Sequence, residues 1–558
     1  MQATILFLWT LLSSTLLLSV SKGGYSAAAY SPLPCPTSCK CRPETLDGVG
    51  PVYSVNCAGK GLGDLPDLRV LMNSGPVYGG GDGGTGTHVT GVGERRLQLE
   101  LANNRIGSLD SSQFVTGLNV FSLDISRNKG LSQINDNTFD NLAPHLERLS
   151  MDALGLTFDR SLSTVSNLNR LKQLSISHNN RRGYVPGAVE HVKVKLFQGP
   201  VTTSLISLKM SHCGMRSLSK KSLKSLVSLE ILDLSNNWFA HVPDAVKGLT
   251  RLKKLLLFHC YIKKLADFSF TDLTYLESLD LSANHVADIE PFAFTGLEHA
   301  LSDLRLGRCH LREIPTQAFA ILNKLKRLDL SENRFNKAGH DAFTGGYCLT
   351  ELLISARGME FEPTAFADQS KCLFSLTIKQ MDLSTIPREA IAKLKNLRQL
   401  SLENNKILSL QPDAFNGIAA SSIRLTGNPL TTIEDHAFRG LPAGLDINLS
   451  HTKVSGIEFI LGYPEGAISS VDLNYAGLVC RCSMREALNA TLITDIYGSC
   501  RSGTRDILLS SRDLSEIVED ACIEESKRNS GTPALTTQLL TFVPFAASSL
   551  VLTAAYIL

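Results

Sequence analysis

Residues 229–239 read LEILDLSNNWF, and residues 397–407 read LRQLSLENNKI. The two stretches share one frame, in which Leu229, Leu232, Leu234, Asn237 and Phe239 coincide with Leu397, Leu400, Leu402, Asn405 and Ile407. Apolar and polar residues alternate through its middle, the period of a strand that buries one face. Working outward, the asparagine-like position recurs at Asn104, Asn128, Leu154, Asn179, Cys213, Asn237, Cys260, Asn284, Cys309, Asn333, Arg357, Met381, Asn405, Asn428, Thr452 and Ala476. Most steps are 23 to 26 residues. Sixteen copies at one spacing imply a stack of coils, each burying its leucines against the coils on either side.

The frame L-x-x-L-x-L-x-x-N-x-L with this period is that of a leucine-rich repeat. The expected fold is an α/β leucine-rich-repeat solenoid with a parallel β concave face, an irregular or short-helical convex face, and disulfide-stapled caps. An inward asparagine can bond the backbone of neighbouring turns, where no helix or sheet satisfies it. Phe114, Phe139, Phe270, Phe294, Phe319, Phe366, Phe415 and Phe438 recur on the opposite side of the coil and should form a stacked convex spine. The step from Asn179 to Cys213 is 34 residues, and its excess, residues 181–200, should protrude as a loop. The expected organisation is an N-terminal cysteine cap at 35–66, a Gly-rich insertion at 67–95, about sixteen repeats over 96–479, and a C-terminal cysteine cap at 480–523.

The two ends carry targeting signals. Residues 1–21 are apolar, then small, and read as a signal peptide, although no basic residue precedes Lys22. A membrane anchor is the alternative. Residues 539–558 form an uncharged tail, preceded by a tether and anchor-site region at 524–538 that holds the small residues Asn529, Ser530 and Gly531. Small residues, a polar spacer and an apolar tail are the signal for a glycosylphosphatidylinositol (GPI) anchor, with Asn529 as the attachment residue and Ser530 as the next candidate. A transmembrane helix is the alternative.

The 13 cysteines sort by position. Cys35, Cys39, Cys41 and Cys57 precede the repeats, and Cys480, Cys482, Cys500 and Cys522 follow them. A solenoid end exposes apolar core, which a short stapled cap covers. Together with Gly61-Leu62-x-x-Leu65-Pro66, the first cluster resembles the N-terminal cap of extracellular leucine-rich-repeat proteins, and the second resembles their C-terminal cap. That resemblance implies the pairs Cys35–Cys41, Cys39–Cys57, Cys480–Cys500 and Cys482–Cys522. The sequence departs from the family in the long gap between Cys41 and Cys57, and in Asn474-Tyr-Ala where Asn-Pro-Trp is usual. Cys348 and Cys372 sit at the same place in adjacent coils, where a strand spacing of about 4.8 Å suits a disulfide; two thiols are the alternative. Cys213, Cys260 and Cys309 replace asparagine in alternate coils, too far apart to bridge, and should be buried as small core residues.

Composition excludes some partners. Lys and Arg number 55 against 53 Asp and Glu, which gives no pull toward nucleic acid. No G-x-S-x-G, H-E-x-x-H or phosphate-binding loop occurs, so no enzyme, cofactor or metal site is expected. Histidines such as His178, His212, His259 and His451 recur just before the ladder position, a surface turn where solvation is the default. The sequons Asn448-Leu-Ser450 and Asn489-Ala-Thr491 are candidate glycosylation sites. The outward strand positions are mostly small or charged, except for Ile231, Leu256 and Phe258, with Lys254 beside them. Exposed apolar residues ringed by charge suggest a partner-binding patch. The architecture resembles connectin- and chaoptin-like adhesion proteins and variable lymphocyte receptors. That likeness implies a cell-surface receptor or adhesion molecule with an extracellular protein or glycan ligand, a lipid anchor, and a membrane-spanning co-receptor if it signals. An immune pattern binder and a secreted matrix protein are the alternatives.

Overall fold

The computed structural model describes residues 35–72, 96–131, 133–179, 190–192, 195–489 and 493–529. Among them runs a 20-stranded sheet. Gly50–Asn56 pairs in parallel with Leu97–Glu100, and successive coils add one short strand each until Ile493–Ser502. Register is held by a column of inward side chains: Leu208 lies opposite Leu232, then Leu255, Leu279, Leu304, Leu328, Leu352, Leu376 and Leu400. A one-residue slip would turn that whole column to solvent. All of these leucines are buried, and truncating one to alanine costs about 2–5 kcal/mol.

In several coils an Asx turn ends the strand. The Ser235 N–H donates to Asp233 Oδ1 at 2.9 Å, and Ser282 to Asp280 and Ser331 to Asp329 do the same. The residue before the ladder position then takes a left-handed conformation: Asn236, His259, Ala283 and Arg308 have φ of 57°, 51°, 57° and 57°. A non-glycine residue there costs about 1–3 kcal/mol. The ladder residue that follows offsets it. Asn284 Nδ2 donates to Leu257 O at 2.8 Å and Leu281 O at 2.7 Å, while its Oδ1 accepts from the N–H of Cys260 and of Ile262. One buried amide thus satisfies backbone groups in two coils.

On the convex side the eight phenylalanines are buried, and they stack in runs: Phe270, Phe294 and Phe319 have centroids 6.1 Å apart, and Phe415 lies 5.4 Å from Phe438. Phe343 and Phe459 join the spine, which is interrupted where Ile391 takes the ring's place. The expected loop at 181–200 needs correction in its second half. Glu190–Val192 pairs with Met215–Leu218 on the convex side, and Val192, Leu196 and Phe197 are buried. Those three apolar residues draw the segment back onto the core; residues 181–189 lie outside the described residues.

Both cap boundaries also shift. The gap between Cys41 and Cys57 is an antiparallel hairpin, Lys40–Leu46 with Gly50–Asn56, whose second strand starts the parallel sheet. Leu68–Met72 is a 3-10 turn that buries Leu68 and Leu71, so it belongs to the folded cap rather than to the insertion expected from residue 67. Residues 73–95 and 1–34 lie outside the described residues. At the far end the helix Leu514–Asn529 carries Cys522 and continues six residues past 523. Leu514 and Val518 pack it against the core.

Candidate binding face

The five disulfides join Cys35 to Cys41, Cys39 to Cys57, Cys348 to Cys372, Cys480 to Cys500 and Cys482 to Cys522. These are the pairs set out from the sequence. Cys213, Cys260 and Cys309 fill the asparagine position and are buried. The Cys309 Sγ lies 3.2 Å from Leu281 O and the Cys260 Sγ 3.3 Å from Leu234 O, the same carbonyl column that the asparagines use. Burial pushes both thiols up to about 12, which keeps them neutral and unreactive. Among the described residues no group of three or more His, Cys, Asp or Glu is placed to hold a metal ion.

The four residues of the patch lie together. Ile231 pairs with Lys254, and Asp233 with Leu256, in adjacent strands. Ile231 and Leu256 are half-buried and Lys254 is exposed. Phe258 is 37% exposed, and its carbonyl accepts from the Asn236 N–H. Its ring lies 6.1 Å from His259, which lies 5.1 Å from Tyr261.

Tyr261 belongs to a row that the sequence reading missed. The residue one past the ladder position is Trp238, Tyr261, His285 and His310 in four consecutive coils. Trp238 stacks on Tyr261 at 5.3 Å, Tyr261 on His285 at 5.6 Å, and His285 meets His310 edge-on at 5.1 Å. Arg216 lies over the free face of Trp238 at 5.6 Å. Trp238 and Tyr261 remain 46% and 37% exposed. The signal was present in the sequence, but only as a column across coils rather than a local motif.

Of the histidines before the ladder, His178 and His451 are exposed as expected, while His212 and His259 are half-buried. His178 and His212 stack at 4.1 Å, and the buried His212 Nδ1 has no hydrogen-bond partner. Burial, with His178 nearby, holds His212 below the usual histidine range; burial and then Arg334 do the same to His310. Asn448 is half-buried. Its Oδ1 accepts from Thr426 Oγ1 and from the Ser450 N–H and Oγ, and its Nδ2 donates to Asp472 Oδ2 at 3.1 Å. It stands where other coils place Asp233 or Asp280, so its Ser450 also serves the strand-ending Asx turn. Asn489 is exposed at the end of the helix Met484–Asn489. Asn529 is the last residue of its helix, and residues 530–558 lie outside the described residues.

Known proteins share this organisation in part. A family model for the BspA type leucine rich repeat region matches residues 249–373 and 369–459, and a leucine rich repeat model matches residues 203–262. Lumican from Coturnix japonica is 31% identical over 129 residues, 23% of this chain and 34% of that protein. The chain therefore spans about a third of the length of that curated relative. Among solved structures, the Toll–Spatzle complex of Drosophila gives a TM-score of 0.50 at 18% identity, covering 70% of this chain and 58% of that one. The mouse RP105/MD-1 complex gives a TM-score of 0.44 at 18% identity, covering 83% and 97%. At such identity the likeness to Toll bears on the fold alone.

Proposed function

We propose that this chain, built of leucine-rich repeats between stapled caps, is a non-catalytic binding protein of the cell exterior that grips a protein partner on its concave side. The observation that carries this reading is the continuous apolar and aromatic surface from Ile231 and Leu256 through Phe258 to Tyr261 and Trp238. Elsewhere the outward strand positions are mostly small, polar or charged, with Leu353 standing apart from the patch, and several charges already have partners: Arg305 and Arg327 both reach Asp303. A rigid aromatic anchor amid polar neighbours is the usual composition of a binding hot spot. The Toll complex pairs a similar solenoid with a second protein, which agrees with this reading. The placement that goes with it is the outer membrane surface, held by lipid at Asn529.

The test is an affinity measurement on a partner recovered in an extracellular binding screen. Leu256→Ser with Phe258→Ser should weaken binding by about 2 kcal/mol or more, roughly 30-fold in Kd, because hot-spot truncations cost that much. The circular dichroism melt should stay that of the parent, since both side chains lie outside the leucine column. Unaltered affinity in the folded variant would overturn the assignment.

A further inference from the structure

The ring row leads into a cleft that arises from a register fault. In a regular coil the ladder residue's N–H bonds the next coil's asparagine, as Cys309 N does to Asn333 Oδ1 at 3.0 Å. The next such position after Asn333 is Arg357, whose charged side chain is turned out to solvent. The Asn333 N–H therefore takes the Ser355 carbonyl at 3.0 Å, and the Glu332 N–H is displaced onto Ser355 Oγ at 3.1 Å. Ala356 fills the interior in place of an amide, and the left-handed turn moves on to Gly358, φ 71°. The slack opens a cleft of about 550 Å³, lined among others by His310, Glu332, Arg334, Asn336, Arg357 and Gln380.

The chemistry of that lining is one-sided. Arg334 and Arg357 are exposed, and neither has a carboxylate within ion-pair reach among the described residues. Glu332, the acid among these groups, is already held by Arg308 at 2.7 Å. Asn336 and Gln380 add amide donors. Guanidinium groups with uncommitted donors match a carboxylate in charge and in geometry. The row that runs in from Trp238 has the same bias. Trp238, Tyr261 and His285 stack face to face, at 24° and 9°, so edges rather than faces meet the solvent. Aromatic edges are the positive part of the ring quadrupole. A sugar chain would need the ring faces, which the neighbouring rings cover; an extended acidic peptide needs only the edges and the arginines.

We propose that the cleft between Arg334 and Arg357 binds a carboxylate of an acidic segment in a protein partner, with the rest of that segment lying along the row from His310 to Trp238. The proposal rests on the reading of this side as a protein-binding face and names the chemistry of its partner. The probe is a short fluorescein-labelled oligo-glutamate peptide, titrated into purified full chain and read by fluorescence anisotropy. Arg334→Ala with Arg357→Ala should weaken peptide binding about tenfold or more, because truncating one side of a charged hydrogen-bonded pair is costly. Arg424→Ala, which removes one positive charge from an exposed arginine of a distant coil, should leave it unchanged. Oligo-glucuronate should not displace the peptide. The proposal is overturned if the parent chain does not hold the peptide, or if the double variant binds as the parent does. It is equally overturned if Arg424→Ala loses as much, or if the acidic sugar binds in place of the peptide. The two readings fail separately: Phe258→Ser leaves the cleft intact, so peptide binding persists even if the hot-spot assignment falls.

Discussion

At the scale of single residues the molecule depends on one buried position per coil. Asparagine there serves backbone groups above and below it. Cysteine keeps the volume and the contact to the carbonyl column but presents no oxygen acceptor to the coil before it. The alternation of Cys213, Asn237, Cys260, Asn284, Cys309 and Asn333 places each thiol between two amides, so the loss is spread. His212 is a residue-scale weakness. Its folded-state affinity for protons is lowered by burial, so the unfolded chain takes up the proton first. The contribution of His212 is therefore complete above the ordinary histidine value near 6.5 and is lost as pH falls below it. The prediction is that His212→Asn, which tolerates the φ of 55°, shows a smaller drop in thermal midpoint between pH 7.5 and pH 5 than the parent. Equal drops would place the acid sensitivity elsewhere.

At the scale of the element, the coils are unequal. Two successive coils lack an asparagine where Arg357 turns out and Ala356 and Met381 fill the interior. The Cys348–Cys372 disulfide, Cα–Cα 5.4 Å, joins those same two coils. The other pair without asparagine, at Thr452 and Ala476, lies against the C-terminal cap with its own two disulfides. Covalent staples thus stand where the amide ladder is interrupted. Replacing Cys348 and Cys372 with alanine should cost about 2–4 kcal/mol for a loop of this size. In a stack held by nearest neighbours the damage should be local. Amide hydrogen exchange should accelerate first at Glu351–Ile354 and Ser375–Ile378, with Ser278–Asp280 little changed. Uniform acceleration along the sheet would contradict this account.

At the scale of the whole molecule, one sheet extends from the N-terminal hairpin to Ile493–Ser502, so the rings, the patch and the cleft are carried on one continuous scaffold. The helix Leu514–Asn529 brings the folded unit to the proposed attachment residue. A lipid-held form would keep the C-terminal cap close to the membrane and leave the patch to meet a partner. The prediction is that phosphatidylinositol-specific phospholipase releases the protein from intact cells; retention on the cells would sink the lipid anchor. The cap disulfides were implied by a family resemblance, but the chain by itself determined the number and period of the coils, the inward leucines and the convex phenylalanines. Each depends on interactions within a coil or with its immediate neighbours, and the repeat writes those into every copy. Only the tertiary structure decided that Trp238, Tyr261, His285 and His310 form a row and that Arg357 turns outward to open a cleft. It alone showed that Glu190–Val192, Leu196 and Phe197 fold back and that the Asn448 amide is engaged by its neighbours. Those outcomes depend on where a coil takes up its slack, and the groups that settle it lie a full turn apart in the chain.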